Sequence, residues 1–273
     1  MRLDDAPLLR ELMGNYDWPK AIAVTGALGS GKTEWVLNLS AGFRALGDDV
    51  TIADADIINP YFCVRQVTDA LEAEGFSVIT APGQAKWSDM PVVTSEVARA
   101  LTMEGKRVLL DIGGDAEGAL AIKQYEPQLK MANALLILVV NAFRPQTSDV
   151  TSIKVMRARM EAYGCLPVGA VISNSHLMGE TTPEMVLEGY NRVQEAADAM
   201  NLPLLFASTR AEYHDATVEL FKSKGLSVPL WPLSRHMLLP WEPGAIWATG
   251  TGVPSKNHAN RMLSNQQFNE GKQ

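Results

Sequence analysis

Seven short apolar runs punctuate the chain, and longer amphipathic stretches separate them. The runs are AIAVTG (21–26), VTIAD (50–54), FSVIT (76–80), RVLLDI (107–112), ALLILVV (134–140), VGAVIS (168–173) and PLLFAS (203–208). Most are apolar throughout and do not alternate, which is how strands covered on both faces of a parallel sheet read. Helical spacing fills the gaps. Val36, Leu39, Phe43 and Leu46 recur on one face, with Gly47 as a stop. Ile153, Met156, Met160 and Tyr163 repeat the pattern, with Gly164 behind them. A third helix opens with Thr181 and Glu184 at capping-box spacing and Pro183 in its first turn, and it stripes Val186, Tyr190, Val193, Ala197 and Met200.

This alternation predicts an α/β fold: a doubly wound, mostly parallel sheet of about seven strands flanked by helices, with right-handed crossovers. The pattern divides the chain into an N-terminal extension (1–18), one α/β domain (19–235) that holds the glycine-rich GALGSGKT loop, and a tail (236–273) that is Pro/Gly/Trp-rich, then polar and partly disordered. No internal repeat is present.

Composition narrows this picture little. The 273 residues are 47% hydrophobic and 20% charged, ordinary for a folded domain. The net charge of −7 argues against non-specific binding to nucleic acid or to an anionic membrane. The N-terminus has no apolar signal segment, and the most apolar run is far short of the roughly 20 residues that a membrane span needs. The expectation is a soluble, cytoplasmic protein. Cys63 and Cys165 form no CxxC pair and read as two reduced, buried thiols. The four histidines show no metal-ligand spacing, though His176 stands out for lying beside Asn174.

The chemistry concentrates after the first run. GALGSGKT (26–33) matches G-x-x-x-x-G-K-[ST] in full, with an apolar strand before it and an amphipathic helix after it. Gly26, Gly29 and Gly31 let the backbone around Ser30 curl so that several N–H groups face one anion. The helix N-terminus adds partial positive charge. Lys32 is expected on the β- and γ-phosphates, and the Thr33 hydroxyl on Mg²⁺. Two further runs end in aspartate, where ligands of such sheets sit. Asp54 and Asp56 follow the second run. Asp111 ends the fourth, and Asp111 to Gly114 reads as DxxG. An aspartate there can hold Mg²⁺ and a glycine N–H can sense the γ-phosphate. Asp54 also reads as a turn or cap, and Asp115 and Glu117 as a solvated turn or helix start.

The order of phosphate loop, D-x-D strand end and DxxG strand end resembles the SIMIBI class of P-loop NTPases. Within it, residues 20–210 are similar to the MinD/ParA group. That resemblance implies an ATPase. It makes Asp56 the switch I aspartate that positions the attacking water, Asp111 the metal-associated aspartate, Gly114 part of switch II and Asn174 a contact to adenine. Ser208 and Thr209 would border the base. GTPases of this kind carry [NT]KxD, whereas NSHL (174–177) has no such aspartate, so ATP is expected over GTP. Ala27 occupies the place of the group's second loop lysine, which reaches across a dimer. Either the dimer forms without that lysine or another cation serves; Arg144 and Arg210 are candidates.

The expectation is an Mg²⁺- and ATP-dependent conformational switch, read by a protein partner or by a second copy in a nucleotide-dependent homodimer. The rival is a small-molecule kinase or ligase of the same class, its substrate lined by loop 81–92, which includes Trp87, and by NPYF (59–62). A GTPase is a further alternative.

Overall fold

The computed structural model describes residues 6–56, 64, 67–80 and 95–237. Eight strands form one sheet in the order β3-β2-β4-β1-β5-β6-β7-β8, and every neighbouring pair is parallel. The strands are β1 (Ala21–Thr25), β2 (Asp49–Ala55), β3 (Ser77–Ile79), β4 (Lys106–Ile112), β5 (Leu135–Val140), β6 (Val168–Ser173), β7 (Leu204–Arg210) and β8 (Leu230–Leu233). All seven apolar runs are strands. The eighth, LWPL, escapes the pattern because a proline interrupts it, and Pro232 is tolerated only because β8 lies at the sheet edge.

Helices cover both faces. They are α1 (Ala6–Gly14), α2 (Lys32–Leu46), α3 (Thr68–Ala73), α4 (Ser95–Thr102), α5 (Ala116–Ala121), α6 (Glu126–Met131), α7 (Val150–Tyr163), α8 (Pro183–Ala199) and α9 (His214–Ser223). Alternate residues of the central strands feed two separate cores. Ala21, Ala23, Val108 and Leu110 face α4 to α8. Ile22, Val24, Leu109 and Ile137 face α1, α2 and α3, with Phe206 and Trp231.

Three local details go beyond the sequence pattern. In the described part of the N-terminal extension, α1 packs on α2 and buries Leu9, Leu12 and Met13. Residues 236 and 237 belong with the folded body, since Met237 is buried in the α2-side core. The cap of α8 is Thr182, whose hydroxyl accepts from the Met185 N–H at 3.4 Å, because Pro183 takes the first helical position. Thr181 instead accepts from the Leu177 N–H at 2.9 Å and donates to the Met178 carbonyl.

Chain order reverses at β1: β2 and β3 lie beyond β4 on one side, β5 to β8 on the other. Open α/β sheets bind ligands at the carboxyl ends of strands flanking such a point.

Candidate functional site

The loop between β1 and α2 sits at that crevice. Gly29 has φ +74° and Gly31 φ +86°, left-handed conformations that glycine adopts without strain. Gly31 is the N-cap of α2, so the helix begins at Lys32 with its N-terminal amides at the loop. Both charged strand ends meet this loop. The Lys32 ammonium lies 2.8 Å from Asp56 Oδ2, with the two side chains 7% and 2% exposed. The Thr33 hydroxyl donates to Asp111 Oδ2 at 2.7 Å. Parallel register sets Asp54 beside Asp111, and Asp54 Oδ1 accepts from the Asp56 N–H at 3.1 Å.

Asp111 is wholly buried, and its Oδ1 has no hydrogen-bond partner. Burial pushes its carboxyl up to about 7, Asp56 and Asp54 push the same way, and Lys32 and the Thr33 hydroxyl oppose them. An orphaned carboxylate oxygen beside a threonine hydroxyl suits a hard dication, whose charge would hold the carboxylate ionised. Among the described residues no three His, Cys, Asp or Glu side chains gather as a metal cage. Mg²⁺ needs none, because it binds through one or two carboxylates plus phosphate oxygens and water.

The DxxG segment lies on the loop. A Cβ on Gly114 would stand 1.9 Å from the Gly26 carbonyl oxygen, and one on Gly113 3.1 Å from Asp56 Oδ1. The Thr25 hydroxyl donates to the Gly113 carbonyl at 3.2 Å. Asp115 caps α5, accepting from the Gly118 N–H at 2.7 Å.

The other flank of the loop is built from β5, β6 and β7. Asn174 is buried behind the loop, and its amide donates to the Ser30 carbonyl at 2.7 Å. Its oxygen accepts from the Ser208 hydroxyl. His176 Nε2 stands 3.8 Å from the Cβ position of Gly31. Burial drops the His176 imidazole to about 4, with Arg144 and Arg235 adding to the effect. Arg144 Nε donates to the Gly29 carbonyl at 3.1 Å, whereas Arg210 pairs with Glu212 and donates to the Gly179 carbonyl. Ala27 is 1% exposed and packs into the core.

This architecture recurs in a solved structure. The cell division protein FtsY from Thermotoga maritima superposes with a TM-score of 0.51 at 20% identity, over 73% of this chain and 67% of its own. The shared fold is one all-parallel α/β sheet flanked by helices. Chloroplast FtsY from Physcomitrella patens gives 0.49 at 17% identity, over 73% and 64%. The signal recognition particle 54 kDa protein from Aeropyrum pernix, solved with GDP, gives 0.46 at 17%, over 73% and 45%. No protein-family model matches the chain, and no curated protein sequence matches it.

Around the loop, two residues had no signal in the sequence. Glu34, in the first turn of α2, accepts from the His236 and Met237 N–H groups, and burial raises its carboxyl to about 7 against those bonds and Arg235. Asn38, one turn on, accepts from the Ser234 N–H and donates to the Ser234 carbonyl. A glutamate in a first helical turn reads simply as a dipole complement. Cys165 is a half-buried free thiol. Cys63, the NPYF segment, loop 81–92 with Trp87, His258 and the tail from 238 lie outside the described residues. No described helix is long and apolar enough to cross a membrane.

Proposed function

We propose that the chain binds and hydrolyses ATP with Mg²⁺ and acts as a nucleotide-driven conformational switch of the MinD/ParA kind. One observation carries this reading: Lys32 and Thr33 of a single loop contact Asp56 and Asp111 at two separate strand ends. A ligand on the loop therefore bears on both aspartates at once. In this reading the amides around Gly26 to Gly31 and the Lys32 ammonium hold the phosphates. Thr33 and Asp111 would hold Mg²⁺, with Asp56 close by, and bound there it would supply positive charge to offset the negative charge developing on the phosphoryl group.

Asp56 orients the attacking water. Gly114, already against Gly26, senses the γ-phosphate through its N–H. Asn174 keeps the Ser30 turn in shape from behind. ATP is favoured because no aspartate follows Asn174 in 174–177 to read a guanine edge. To invert a 1:99 equilibrium, ATP must favour the switched state by about 5.5 kcal/mol. The γ-phosphate contacts of the two switch segments are the source of that preference. The reader is a protein partner or a second copy, in the cytoplasm, where ATP and Mg²⁺ are abundant.

The test is calorimetric titration with ATP and with GTP, followed by phosphate release. Tight ATP binding that EDTA weakens, slow turnover, loss of binding in Lys32→Ala, and retained binding without turnover in Asp56→Ala are expected. Binding that survives Lys32→Ala would overturn the site, and a preference for GTP would overturn the choice of base.

A further inference from the structure

The sheet order divides the surroundings of the loop into two sides. Asp56 and Asp111 come from β2 and β4, on one side of β1. Arg144 and His176 follow β5 and β6, on the other. A nucleoside triphosphate whose terminal phosphate points to the aspartates must lay its sugar and base on the β5–β6 side. The aspartate side is filled, since Gly113 and Gly114 press against Asp56 and Gly26 there.

Arg144 is placed unusually on the free side. The Cβ position of Gly29 is 2.9 Å from its Cζ, 2.9 Å from Nε and 3.0 Å from Nη2. Near-equal distances to three atoms of one plane mean that the guanidinium meets the glycine face-on. Any side chain at 29 would displace it. Nε bonds the Gly29 carbonyl at 3.1 Å, which fixes the plane. The Nη groups make no hydrogen bond or ion pair with the described residues, and no ring among those residues covers the outer face. The two other arginines that follow the ends of strands on this side differ. Arg210 is paired with Glu212, and Arg235 donates to the Met237 carbonyl. The neighbouring His176 is neutral at physiological pH, so it neither repels Arg144 nor competes for an anion.

We propose that Arg144 is the shelf for the nucleobase: one face of its guanidinium rests on Gly29 of the phosphate loop, and the base stacks on the other. The inference rests on the nucleotide-binding reading above. A planar, weakly hydrated guanidinium suits this task better than an ammonium does, because it can stack and carry charge together. Asn174 then supports the loop, and Arg144 meets the base.

The experiment compares Mg²⁺-ATP with Mg²⁺-tripolyphosphate, which has the phosphates and no nucleoside, by calorimetry on the full chain. Arg144→Ala is expected to weaken ATP about tenfold, the size of one cation–π contact. Its affinity for tripolyphosphate should stay within about twofold of the unsubstituted chain. Arg144→Lys, which keeps charge and loses the plane, should behave like the alanine variant. Parallel loss of both ligands would make Arg144 a phosphate contact and overturn the proposal. So would full rescue by lysine, or no loss at all. If the unsubstituted chain binds tripolyphosphate and ATP equally, no base subsite exists and only this inference fails. If it binds neither, the nucleotide reading fails with it.

Discussion

His176 shows how one partly buried side chain beside the glycine-rich loop ties stability to pH. Its imidazole is pulled from the ordinary 6.5 to about 4, chiefly by burial and then by Arg144 and Arg235. The folded chain therefore binds fewer protons here than the unfolded chain. The neutral form's contribution to stability is complete above pH 6.5 and is lost as pH falls towards 4. At 1.36 kcal/mol per pH unit, protonating it in place costs on the order of 3 kcal/mol. His176→Gln should flatten that part of the profile: urea unfolding of the two chains should converge as pH drops from 6.5 to 4. Parallel profiles would mean that the imidazole is solvated. Of the site's residues, those whose role is a motif position were legible in the sequence. Gly29, Gly31, Lys32 and Thr33 are set by local loop geometry. Asn174 was legible only as a position after a strand. Its bond to the Ser30 carbonyl spans 144 residues, and no local pattern encodes a pairing at that separation. Ala27 is similar. The resemblance to the MinD/ParA group would place a lysine there, whereas the position points into the packed core, where an ammonium would be costly.

At the scale of elements, the DxxG segment is clamped between the phosphate loop and α5. Gly118, in the first turn of α5, would carry a Cβ 2.5 Å from Gly113 Cα and 2.7 Å from its carbonyl carbon. Both are backbone atoms and cannot rotate away, so Gly118→Ala must push α5 off the segment. A glycine-to-alanine change inside a helix ordinarily gains about 1 kcal/mol. Here overpacking should outweigh that gain and leave the chain about 1–3 kcal/mol less stable. Phosphate release should fall with it, because Gly114 would leave Gly26. Gly179→Ala, with nothing within 4 Å, is the control and should change neither. A Gly118→Ala chain with unaltered turnover would show that the segment works independently of α5. The helices themselves were legible because their stripes face the cores: Val36, Leu39 and Phe43 are buried as the spacing predicts. The stripe ends were not, since Leu46 and Tyr163 are 41% and 48% exposed where their helices run past the sheet.

Over the whole molecule, the last described residues return to the helix that follows the phosphate loop. β8 and residues 234–237 lie along α2. Trp231, fully buried, packs against Trp35 and Phe206 at centroid distances of 5.4 and 5.2 Å. Its indole N–H donates to Asn38 Oδ1 at 3.3 Å, and the Ser234 N–H donates to the same oxygen at 3.0 Å. The strand pattern missed this closure because it depends on a Trp–Pro pair that breaks the apolar run, and on polar partners 193 to 196 residues away. Asn38→Ala removes the acceptor from two donors, and leaving a buried donor unpaired costs about 1–3 kcal/mol. Trp231→Phe removes one of those donors and leaves a smaller ring in the cluster. Because the indole and the Asn38 amide share one bond, the two changes cannot add: once Asn38 is gone the phenyl ring no longer forfeits a hydrogen bond. The double variant should be more stable than the sum of the single losses by about 0.5–1.5 kcal/mol in urea unfolding, the net worth of the one hydrogen bond they share. Additivity within about 0.3 kcal/mol would mean that Trp231 contributes through packing alone and that the strap is tied to α2 only at Ser234, His236 and Met237.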